Sequence, residues 1–206
     1  LKLIPKPPAT ETLLAAFDDL VECGRAIAAI LSSGILPAKI EMMDRACIEA
    51  VEQYEPSGLP TDAEALILIE LDGHPQAIAS EIATARTTCA RFGARFVRQA
   101  ETDSEREELW QARKLVSPAI ARIKPTKISE DICVPISKIP EAFAQLRSIR
   151  TRYGLQLVVF GHAGDGNLHP NIMCDQRDAE EMRRLEQAVA EIFRMTLELG
   201  GTLSGE

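Results

Sequence analysis

At 206 residues the chain can bury one sizeable core, and with 46% hydrophobic and 26% charged residues its composition is that of a folded globular protein, not a disordered one. Aromatics make up only 4%, so Leu, Ile, Val and Ala must fill most of the interior. A net charge of −8 repels phosphate backbones and excludes nucleic acid as a natural partner.

The opening "LKLIPKPP" lacks methionine and reads as a strand end running into a proline-rich connector. From Thr12 to Leu31 apolar residues recur at helical spacing (Leu13, Phe17, Leu20, Val21, Ile27, Leu31), which predicts a helix stopped by Ser33-Gly34. "PAKIEMMD" is a short strand, and "DRACIEAVEQY" is helical until Pro56-Ser57-Gly58 breaks it. "AEALILIELDG" is a nearly continuous apolar run closed by Asp72-Gly73, the pattern of a central strand, and His74 after it is exposed. Pro75 to Phe92 is an amphipathic helix with Pro in its first turn, and "ARFVRQA" another strand. Asp103 to about Ala119 is predicted as one helix with an acidic first turn.

In "ISEDICVP" the period of two sends Ile128, Ile132 and Val134 one way and Ser129, Asp131 and Cys133 the other. Pro140 to Tyr153 is a helix, "LQLVVF" a buried strand, "NLHPNIMC" a further strand, and Asp178 to Leu199 a long charged helix ending at Gly200-Gly201. A new strand starts in "GGTLSGE", so both ends read as cut and the chain as a piece of something longer. Strands and helices alternate in two βαβ-like halves without a glycine-rich phosphate turn. The expected fold is α+β, a ferredoxin-like α/β sandwich whose largely antiparallel sheet has helices packed on one face.

The five cysteines are odd in number, widely spread and without a CxxC pair, which suits reduced thiols in the cytoplasm. No apolar run approaches the roughly 18 residues of a membrane span, so any membrane association would run through partners.

Two of the three histidines lie in "VVFGHAGDGNLHPNIMC". Gly164, Gly166 and Pro170 oppose a helix there, so the stretch needs a strand, a turn and a strand, which brings His162 and His169 together. Period two then puts Asn167, His169 and Asn171 on one face and Leu168, Ile172 and Cys174 on the other. Two imidazoles across a turn suit a divalent metal, most plainly zinc, with a third ligand from among Asp165, Asp131 and Glu206. The bland alternative is a turn-capping histidine beside a half-buried strand histidine.

"FGHAGDGNLHPNI" resembles the hallmark of the C-terminal cap domain of FAD-linked oxidases and dehydrogenases acting on D-2-hydroxy acids, the family of glycolate oxidase flavoprotein subunits, D-lactate dehydrogenases and D-2-hydroxyglutarate dehydrogenase. "KLIPKPP", "PAKIEMMD", "ALILIELDG", "LWQARKLVSPAI", "ISEDICVP" and "GGTLSGE" resemble its other segments in the same order, so the likeness covers nearly all of residues 1–206.

The resemblance implies a substrate-binding cap that works with its own N-terminal FAD domain and, beyond it, with an electron-acceptor protein or quinone. It puts His162, His169 and Glu206 on the metal, Gly164 and Asn167 against the cofactor, and Arg113, Ser117 and Asn171 on the small 2-hydroxy acid. The family's general-base histidine would follow Glu206. Dicarboxylate-oxidising relatives carry lysine where this chain has Ser129, which argues against a 2-hydroxyglutarate-like substrate, although Lys127 shares that face. The rivals are a zinc hydrolase using the same ligands on water, and a non-catalytic ligand-binding α+β module whose histidines bind nothing.

Overall fold

The computed structural model describes residues 5–204. Its first half runs β1 (Ala9–Phe17), α1 (Leu20–Ser32), β2 (Lys39–Asp44), α2 (Arg45–Tyr54), β3 (Ala65–Gly73), α3 (Pro75–Arg91) and β4 (Ala94–Gln99). The connection carries α4 (Asp103–Lys114) and α5 (Val116–Ile120). The second half runs β5 (Thr126–Ser129), β6 (Asp131–Cys133), α6 (Ile139–Tyr153), β7 (Gln156–His162), β8 (Asn167–Cys174), α7 (Ala179–Glu198) and β9 (Thr202–Ser204).

All strands join one sheet in the order β4-β1-β3-β2-β7-β8-β6-β9, with β5 also on β8, and every described pairing is antiparallel. The first four positions form a ferredoxin-like βαββαβ unit. With β5 and β6 taken as one interrupted strand, the last four positions repeat that order in reverse. Two ferredoxin-like units therefore stand edge to edge, joined by β2 and β7, and the antiparallel α+β expectation holds.

Three sequence expectations need correction. Residues from Thr12 onward do not start a helix: Ala9–Phe17 is a strand, and α1 begins only at Leu20, where Asp19 Oδ1 accepts from the N–H groups of Val21 and Glu22 at 2.7 and 3.0 Å. β1 lies between β3 and β4 and is buried on both faces, with Leu13, Ala15 and Phe17 in one core and Leu14 and Ala16 in the other. Such a strand shows no alternation, and Leu13 and Phe17 fall at helical spacing by coincidence.

Helices also cover both faces of the sheet instead of one: α1, α3, α6 and α7 pack on one core, α2, α4 and α5 on the other. Finally, the helix expected from Asp103 to Ala119 divides at Leu115, because Pro118 has no N–H for the Lys114 carbonyl and its ring crowds that turn.

The break between β5 and β6 has a similar cause. Glu130 donates its N–H to the Pro170 carbonyl at 3.0 Å, but Pro170 has no N–H to return, so the ladder lapses there. Among the described residues no helix is long and apolar enough to cross a membrane.

The seam pairs Glu41 with His162, Met42 with Gly161 and Met43 with Phe160. Buried Asp44 locks its lower end: one carboxylate oxygen caps α2 through the Cys47 N–H and the other accepts the Val159 N–H, both at 3.0 Å. Asp44→Ala would uncap α2 and leave a buried N–H on β7 unpaired, and is expected to cost about 3 kcal/mol in urea unfolding.

Candidate active site

The β7–β8 hairpin turns through residues 163–166. Asp165 Oδ1 accepts the Asn167 N–H at 3.1 Å, while Gly164 donates its N–H to the Ile40 carbonyl at 3.1 Å and so ties the turn to β2. As the sequence predicts, the two imidazoles meet: the His162 and His169 rings lie 5.1 Å apart, edge to face. Phe160, directly opposite His169, adds a tilted ring at 5.2 Å.

Each ring is held by a carboxylate. His162 Nδ1 lies 2.6 Å from Glu41 Oε1, and His169 Nδ1 lies 2.6 Å from Asp131 Oδ1. A carboxylate can only accept, so in the neutral ring the proton sits on Nδ1 and Nε2 keeps its lone pair, the arrangement that orients metal-ligating histidines.

The second Glu41 oxygen accepts from Arg113 Nη2 at 2.7 Å, and the Arg113 guanidinium also stacks 4.9 Å from the Phe160 ring centre. The Arg113 and Glu41 side chains are only 12% and 11% exposed, whereas that of His162 is 42% exposed. Arg113 Nε is buried and has no hydrogen-bond partner among the described residues.

The remaining predicted positions divide. Asn171 shares the site face but is fully buried; its Nδ2 donates to the His169 carbonyl at 2.8 Å and its Oδ1 has no partner among the described residues. Ser117, separated from Arg113 by the break at Leu115, accepts from Lys127 Nζ at 3.0 Å. Asn167 starts β8 between His162 and Cys133. An atom added at Gly164 would meet Ile40 only at ordinary contact distance, so no crowding of β2 requires glycine there.

Glu206 and anything after it lie outside the described residues. Of the other carboxylates considered as third ligand, Asp131 serves His169 Nδ1 and Asp165 caps Asn167. Among the described residues no group of three or more His, Cys, Asp or Glu side chains could hold a metal ion.

Glu41 is the functional residue the sequence does not announce. Its only local signal is a charge between Ile40 and Met42, in a strand whose middle is otherwise apolar. Its partners His162 and Arg113 are 121 and 72 residues away.

A sequence model of the family described as "FAD linked oxidases, C-terminal domain" matches residues 6–206. The glycolate oxidase subunit GlcD of Bacillus subtilis (strain 168) is 40% identical over 206 residues, covering 100% of this chain and 44% of that protein. The subunit of the same name from Escherichia coli (strain K12) is 36% identical, over 100% of this chain and 41% of that protein. The "Probable D-lactate dehydrogenase, mitochondrial" of Danio rerio is 25% identical, over 100% of this chain and 41% of that protein. The chain thus spans less than half the length of these curated relatives. In fold alone it is similar to p-cresol methylhydroxylase solved with substrate bound, at a TM-score of 0.69 and 14% identity over 97% of this chain and 45% of that one.

The hairpin turn has no room for a side chain at Gly166: its φ is +82°, and a Cβ there would lie 2.1 Å from the Val134 carbonyl oxygen. Gly166→Ala is therefore expected to lower unfolding free energy by about 3 kcal/mol, against about 1 kcal/mol for Gly34→Ala, whose φ is +89° with nothing within 4 Å. Urea denaturation of the two variants side by side checks the difference.

Proposed function

The chain belongs to the family of FAD linked oxidases, C-terminal domain, and we propose that it is the substrate-binding cap of a flavin-dependent dehydrogenase or oxidase that converts a D-2-hydroxy acid of glycolate or D-lactate type into the 2-oxo acid. The observation that carries this reading is the row Arg113–Glu41–His162 beside His169–Asp131, which sets a guanidinium and two oriented imidazoles on one polar face. A 2-hydroxy acid presents a carboxylate and a hydroxyl on adjacent carbons, and these groups answer both. The family match favours oxidoreduction over the zinc-hydrolase alternative.

The polar end of the sheet suits a flavin-bearing neighbour. The second core, with its helices, stops short of His162, Asn167, Asp131 and Cys133, all of which stay part-exposed. A domain supplied by the remainder of a longer protein would close over that face. FAD, when bound there, accepts the hydride that leaves C2 of the substrate.

In this reading Arg113 binds the substrate carboxylate through the part of its guanidinium that is not given to Glu41. His162 and His169, with their Nε2 lone pairs, would hold a divalent ion, zinc most plainly, together with Glu206, and such an ion supplies Lewis acidity to the 2-hydroxyl. Gly164 and Asn167, at the hairpin tip, are the residues of this chain nearest in role to the cofactor. Asn171 acts from beneath, holding the His169 carbonyl, and Ser117 with Lys127 sits at the far rim. Electrons would then pass to a protein acceptor or a quinone.

The test is anaerobic titration of the full-length protein carrying this chain. D-lactate or glycolate should bleach its flavin absorbance, and no bleaching by any D-2-hydroxy acid would refute the proposal. Arg113→Lys keeps a cation for Glu41 but loses the planar fork, so KM should rise about tenfold with kcat largely retained.

A further inference from the structure

We infer that Glu41 is the positioning residue of this site: its two carboxylate oxygens hold the His162 ring and the Arg113 guanidinium at once, and so fix the spacing between the groups that act on the substrate's hydroxyl and on its carboxylate. The inference rests on the 2-hydroxy-acid reading given above.

The three side chains come from three parts of the chain: Glu41 from β2 of the first unit, His162 from β7 of the second, and Arg113 from α4 in the connection. Stacking on Phe160 brings the Arg113 guanidinium to the strand that carries His162 but does not fix its direction. Glu41 does, with Oε1 at 2.6 Å from Nδ1 and Oε2 at 2.7 Å from Nη2. Both oxygens are thus engaged, which fixes the carboxylate plane and with it the direction of each partner.

Stability alone is a poor reason for this arrangement. Taking a carboxylate and a guanidinium out of water costs about as much as their attraction returns, and apolar side chains of similar volume would pack as well. Catalysis gives a reason. The two recognised groups of a 2-hydroxy acid are one carbon–carbon bond apart, so drift between imidazole and guanidinium would misplace the reacting carbon, and such misplacement is expensive in rate. Asp131 does half of this work for His169, holding Nδ1 at 2.6 Å without touching Arg113 in the described contacts. Phe160 touches both the Arg113 guanidinium and the His169 ring, but among the described residues only Glu41 ties the two ends of the site together by hydrogen bonds.

Glu41→Gln separates positioning from stability. An amide can offer its oxygen to Arg113 only by presenting its NH2 to His162, and that reverses the ring tautomer. In the full-length protein labelled with 15N-histidine and stripped of divalent metal by a chelator, with the His162 signals assigned by loss in His162→Gln, wild-type His162 should carry its proton on Nδ1 and the Glu41→Gln protein should carry it on Nε2. Because both partners are disturbed, kcat should fall and KM should rise, each about tenfold, and Glu41→Asp should recover part of both.

Glu181→Gln is the structural control, since Glu181 is equally buried in a pair with Lys124 outside the site. It should lose stability with kcat and KM unchanged. An unaltered His162 tautomer in Glu41→Gln, or kinetic effects no larger than those of Glu181→Gln, would overturn the inference. Failure of the wild-type flavin to be reduced by any 2-hydroxy acid would instead strike the proposed function, while the tautomer measurement would still decide whether Glu41 holds His162.

Discussion

The pairing of β2 with β7 is the constraint from which the site follows. Each ferredoxin-like unit completes its own strand order and leaves one edge strand toward the other, and an unpaired edge is a standing invitation to wrong partners. Joining the two edges removes both at a stroke. It also sets Glu41 directly opposite His162, so a residue of the first unit faces the hairpin of the second. Neither unit alone could assemble the row from Arg113 to His162.

The same pairing puts charge inside the protein, and the chain answers each charge locally. Asp44, buried at the lower end of the seam, has its carboxyl pushed up by burial, against the pull of the Cys47 and Val159 backbone N–H groups. Glu41 meets a guanidinium and an imidazole, and Asp131 meets an imidazole. Acidic side chains thus dominate the interior charge at the seam as they dominate the surface, but here every one has a donor. What stays unanswered at the site within the described residues is one donor, Arg113 Nε, and one acceptor, Asn171 Oδ1, both buried.

How much of this the sequence disclosed depended on the range of the interaction. The approach of His162 to His169 was legible because Gly164, Gly166 and Pro170 exclude a helix and the strand period does the rest within a dozen residues. The faces of Ile128, Ile132 and Val134 against Ser129, Asp131 and Cys133 were legible for the same reason, and the broken ladder at Glu130 did not alter them. β1 was not, because a strand buried on both faces carries no alternation to read. Nor was the two-sided cover of helices: amphipathicity says which stripe of a helix is buried, not which side of a sheet receives it. Glu41 was illegible for a stronger reason. Its role is made by a contact 121 residues away, and nothing within β2 encodes it.

The two units share a topology but not a cover, and the difference lies in their connections. Between β2 and β3 the first unit inserts residues 45–64, which carry α2 onto the second core. At the equivalent place between β7 and β8 the second unit has only residues 163–166. α4 and α5, which follow β4, add to the cover of the first unit and reach across only as far as Val158, Phe160 and Met173. The first unit's face is therefore closed by its own chain, while the second unit's is left polar and part-exposed around His162, Asn167, Asp131 and Cys133. Arg113 stands at the end of α4 in the connection, Glu41 on the edge strand of the covered unit, and His162 on the edge strand of the open one. A site placed there has a packed wall on one side and an accessible face on the other, which is what a substrate held between this domain and a flavin requires.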